Sequence, residues 1–80
     1  MNEAHVKGKL IGLELTHGMT RSEVKITVLV EIFEITAILS GEDNLERARS
    51  WRIGDTVEVK GRLGGGSHIG GAEVEVVAGS

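Results

Sequence analysis

His5, Lys7 and Lys9 alternate near the start of the chain, and His17, Arg21 and Lys25 follow at intervals of four. Lys60, Arg62 and His68 gather around a glycine-rich stretch, "RLGGGSHIGGAE". Cations spaced in this way suit the neutralisation of phosphates along a single strand, a contact that is salt-sensitive and weakly sequence-selective. The competing use is charge pairing across a sheet. In a symmetric hairpin with Leu63 facing Ala72, Arg62 meets Glu73 and Lys60 meets Glu75, each pair worth roughly 0.2 to 1 kcal/mol.

Other chemistries are excluded more firmly. Without cysteine, the chain has no disulfide frame, thiolate metal site or thiol nucleophile. His17 and His68 are expected near each other at one end of the fold, but a structural zinc site wants four ligands and no carboxylate pair accompanies them, so no metal or cofactor is assigned. "GGGSHIGG" lacks the Lys-Ser/Thr ending and following helix of a phosphate loop. Three readings stay open for it: a finger that orders on a partner, an entropically soft hairpin connection, or an inserted linker. No nucleophile with a base and no cofactor fingerprint is present, so no enzyme is expected.

Eighty residues allow one domain, spanning residues 1–80, in which Gly79-Ser80 add neither pattern nor chemistry and leave room for a cloning remnant. Hydrophobic residues make up 40% and charged residues 26% of the chain, a globular balance. The formal net charge of −3 means that the chain as a whole does not attract polyanions. No apolar run approaches the roughly 18 residues of a membrane span and the start lacks a signal-peptide core, so a cytoplasmic location is expected.

The elements that must position these side chains are mostly strands. Val6, Gly8 and Leu10, then Ile11, Leu13 and Leu15, alternate with a one-residue slip that marks a bulge. Val24, Ile26, Val28 and Val30 define a second strand, and a tight turn near Glu31-Ile32 leads to Phe33, Ile35, Ala37 and Leu39 in a third. Leu45, Ala48 and Trp51 recur every three residues in one short helix that Ser40 or Asp43 can cap. Val57, Val59, Gly61 and Leu63 face inward on a fourth strand, and Ala72, Val74, Val76 and Ala78 on a fifth. Trp51 and Phe33 are expected inside, which leaves no ring for bases.

Three strands, a helix and two strands form the element order of the OB-fold, an all-β, five-stranded Greek-key barrel with one short helix between strands 3 and 4. "WRIGDTVEVKGRL" resembles the segment that leaves the helix and opens the fourth strand in the OB-fold nucleic-acid-binding superfamily, including its anticodon-binding and replication-protein-A-like groups. "HVKGKLIGLEL" is similar to their opening strand. The resemblance implies single-stranded DNA or RNA bound without catalysis by strands 2 and 3 and two polar loops, with Lys7, Lys9, His17, Arg21, Lys25, Lys60, Arg62 and His68 as contacts. The sequence departs from that pattern in its acidic outward residues and scarce aromatics. The alternative is an assembly subunit, with Leu29, Ile32 and Ile38 forming an apolar patch for a protein partner or a homodimer.

Overall fold

The computed structural model describes residues 3–64 and 68–78, less the side chains of His68, Gly71 and Ala78. The element order is β1 (Glu3–His17), β2 (Ser22–Val30), β3 (Phe33–Ser40), α1 (Glu42–Ala48), β4 (Thr56–Leu63) and β5 (His68–Ala78). The strands close a barrel in the order β1-β2-β3-β5-β4, an OB-fold with its helix between β3 and β4.

Closure depends on β1 serving two partners. Its first half pairs with β4, from Glu3 opposite Arg62 to Lys9 opposite Thr56, and its second half with β2, from Lys9 opposite Leu29 to His17 opposite Ser22. The register shifts between Leu10 and Gly12, so Ile11 is the extra residue of the expected bulge. Gly8 sits where the bent strand meets β2: a Cβ there would collide with the Leu29 carbonyl oxygen and lie 2.9 Å from Val28 Cγ1.

Leu10, Val24, Ile26, Val28, Ala37, Leu39, Val57, Val59, Ile69, Ala72 and Val74 fill the barrel and are buried. Burial of each larger side chain stabilises the fold by about 1.5–3 kcal/mol. Leu45 and Ala48 of the helix, with Trp51 just after it, join the same core and stop one end of the barrel. The expected side-chain cap is absent. Gly41 holds the N-cap position without a side-chain hydrogen bond, while the Ser40 carbonyl accepts one from Asn44 Nδ2 at 2.8 Å.

Several inward assignments at strand ends need correction. Phe33 is 63% exposed, Leu63 43% and Val76 37%. All three keep the inward alternation near strand ends and stay in register with Val30, Ile69 and Val57, yet remain exposed. Ala78's side chain lies outside the described residues.

The final hairpin also differs from the symmetric expectation. Lys60 stands opposite Glu73, Glu58 opposite Glu75, Arg62 opposite Gly70 and Leu63 opposite Ile69, with a register shift between Lys60 and Arg62. Ile69 and Gly70 therefore belong to β5, and the supposed eight-residue finger shrinks to a shorter connection, of which residues 65–67 lie outside the described set. The side chain of Ile69 packs where a Cβ on Gly61 would have to go. That close approach explains Gly61, which immediately precedes the glycine-rich stretch, by packing alone.

Candidate binding surface

Strand directions determine which turns meet. The start of β1 pairs with the end of β4, β4 turns into β5, and the start of β5 runs parallel to β3, with Thr36 opposite His68. The β4–β5 connection, the start of β1 and the β2–β3 turn therefore share one end. The β1–β2 turn lies with the helix at the other, because Glu23 pairs with Ser40. The expectation that His17 and His68 lie near each other at one end of the fold is thus overturned. His17 lies at the helix end, and His68 lies on β5 level with Thr36; its side chain is outside the described residues. No group of three or more His, Cys, Asp or Glu among the described residues is arranged to hold a metal ion.

The predicted cations are spread over different faces and are mostly set against acids. Lys7 lies opposite Glu58, Lys25 opposite Glu14, Lys60 opposite Glu73 and Arg62 opposite Glu3. Arg21 Nη1 lies 3.4 Å from Glu23 Oε2. Lys9 is different, standing between Leu29 and Thr56. The register therefore sets most of these cations across from acids with changed partners, while the ion pairs within 4 Å among the described residues involve His5, His17, Arg21 and Arg49 instead. Arg62 loses Glu73 to Lys60, and Glu75 faces another carboxylate, Glu58, to which His5 Nε2 comes within 3.4 Å.

At the helix end, Ser22 Oγ donates to Glu42 Oε1 at 2.6 Å, and His17 Nε2 lies 3.0 Å from the same oxygen. The Ser22 hydrogen bond, followed by the His17 hydrogen bond and charge, holds the Glu42 carboxyl below its ordinary pKa against the opposing effect of desolvation. The carboxylate stands between hydroxyl and imidazole, so His17 is not in position to take a proton from Ser22 as a nucleophile's base does. The trio ties the β1–β2 turn to the helix start.

The apolar trio read from sequence does not form one patch. Leu29 and Ile38 are each half-buried and are separated along the sheet by the Thr27–Thr36 pair. Ile32, by contrast, is 83% exposed in the β2–β3 turn. Its neighbours in exposure are Phe33 and Leu63, at the same end of the barrel. Beneath this rim, half-buried Ala4, Val6, Val30 and Ile35 pack on the core.

Glu31 introduces the same turn with φ 59°. The left-handed region costs a residue with a side chain about 1–2 kcal/mol relative to glycine, the usual occupant of such turn positions. A carboxylate is therefore retained at the tip against local preference. Glu34 is exposed on β3, and Glu3 is exposed at the start of β1. A surface hollow at Leu63 carries two acids and two cations, Glu3, Glu73, Lys60 and Arg62, in its lining. The open end consequently combines exposed apolar side chains with mixed charge beside Leu63 and an acidic excess from Glu31 and Glu34 beside Ile32 and Phe33.

The sequence signal for this surface was "EIFE", an apolar pair between acids, but period-two reading assigned Phe33 to the core. Among the described residues, no helix is long and apolar enough to cross a membrane. Comparison with known proteins finds no matching family model and no matching curated protein sequence.

Proposed function

We propose that this chain is a non-catalytic OB-fold module that binds a protein partner through the open end of its barrel. The observation that carries the reading is the exposure of Ile32, Phe33 and Leu63, at 83, 63 and 43%, at the same end of the barrel. Apolar exposure of this kind favours contact with another apolar surface, since association removes it from water. The opposed acids argue against the strand-binding alternative, because a lysine facing a carboxylate gains less from a phosphate.

Single-stranded nucleic acid is the second reading. Lys9 faces no acid across either neighbouring strand, and the exposed Phe33 ring supplies the stacking surface that the sequence seemed to lack. Two titrations separate the readings. 1-Anilinonaphthalene-8-sulfonate, followed by amide chemical shifts, should perturb Ile32, Phe33 and Leu63 first. A labelled oligothymidylate should show no tight, steeply salt-dependent binding. Tight oligonucleotide binding that weakens with salt and is lost in Lys9→Glu would replace the protein-partner reading.

A further inference from the structure

The chemistry of the open end also selects its partner, an inference that rests on the protein-binding reading above. We infer that the surface receives a segment of a different chain in which apolar side chains are flanked by lysine or arginine, rather than a second copy of this protein. Glu31 and Glu34 flank Ile32 and Phe33, and beside Leu63 the acids Glu3 and Glu73 are matched by Lys60 and Arg62, which leaves an acidic excess of two at this end. Two copies meeting through this rim would bring these carboxylates together, and like charges across an interface oppose association. The chain's formal net charge of −3 adds to that repulsion at longer range.

A basic, apolar segment satisfies both features of the surface. Its apolar side chains cover Ile32, Phe33 and Leu63, while its cations approach Glu31 and Glu34. The strained Glu31 backbone bears on this choice. Glycine or asparagine would suit its positive φ better, yet the turn carries an acid between Val30 and Ile32. Glu31 and Glu34 lie on either side of the apolar pair in sequence, so the hairpin tip alone presents charge, two apolar groups and charge.

The test uses two labelled synthetic peptides of equal length, one alternating lysine with leucine and the other glutamate with leucine. Fluorescence anisotropy follows each against the intact chain, Ile32→Ser/Phe33→Ser and Glu31→Lys/Glu34→Lys. Circular dichroism melting confirms that the variants are folded. The lysine–leucine peptide is expected to bind at least tenfold more tightly than the glutamate–leucine peptide. Ile32→Ser/Phe33→Ser, which leaves every charge in place, is expected to weaken it at least tenfold, and Glu31→Lys/Glu34→Lys to reverse the preference.

Equal binding of both peptides, still lost in Ile32→Ser/Phe33→Ser, would overturn the inferred partner chemistry but leave the open-end reading standing. Absence of lysine–leucine binding would overturn the inference, and binding that ignores Ile32→Ser/Phe33→Ser would overturn the open-end reading itself. Sedimentation equilibrium closes the remaining route. A dimer dispersed by Ile32→Ser/Phe33→Ser would make a second copy the occupant and defeat the inference, whereas a monomer supports it.

Discussion

At the helix end of the barrel, Leu45, Ala48 and Trp51 cover the mouth and share its core; at the opposite end, Phe33 and Leu63 continue the inward alternation of their strands but remain exposed. The side chains are of similar kind, and the difference is whether another element covers them. Alternation decides which way a residue points, and closure decides whether water reaches it. The open end exposes Ile32, Phe33 and Leu63 around an unstoppered mouth, whereas at the helix end the mouth is filled and the exposed apolar groups, Met19, Ile53 and Val76, stand outside the stopper.

The largest test of this contrast is Trp51→Ala. Removing an 8%-exposed indole from the stopper should cost about 3–5 kcal/mol, a large share of what a chain of this size can hold, whereas Phe33→Ser should stay within about 1 kcal/mol. Urea denaturation of both variants measures the gap, and equal losses would mean that the two ends are packed alike. Gly61→Ala comes next. Its new methyl meets Ile69, so a loss of about 1–3 kcal/mol is expected from overpacking, and an unchanged midpoint would remove the packing explanation for this glycine.

Glu31→Gly should move in the other direction, stabilising by up to about 1 kcal/mol through relief of the left-handed backbone, and thermal melting can detect the shift. A loss would show that the glutamate side chain supports the turn. The smallest effect belongs to Glu42. Its folded pKa is lowered, so its stabilising contribution is present above the ordinary carboxylate pKa and is lost as pH falls through the folded value. Glu42→Gln should flatten the acid side of a stability–pH profile, and a profile identical to that of the original chain would discard the Ser22–Glu42–His17 tie as a source of stability.

These same places show how far the chain could be read. The bulge was legible at Leu10-Ile11 because a slip in alternation has few other causes, and the helix at Leu45, Ala48 and Trp51 because its period differs from that of a strand. The last hairpin was not legible: Gly64, Gly65 and Gly66 carry no side-chain phase, so nothing local determines whether Lys60 meets Glu73 or Glu75. The end at which each loop lies was also misread, because it follows from reversing strand direction around the closed ladder. For the binding surface, "EIFE" displayed the ingredients, but exposure of Phe33 depends on what packs above it.

By itself the sequence determined the element order, the inward faces of the strands and the helix that joins them, since these follow from local periodicity and backbone preference. Only the tertiary structure decided the β4–β5 register, the opposition of cations by acids and the exposure of Ile32, Phe33 and Leu63 at one end. Those properties arise between segments distant in the chain, where steric fit and closure select among arrangements that local pattern leaves equal.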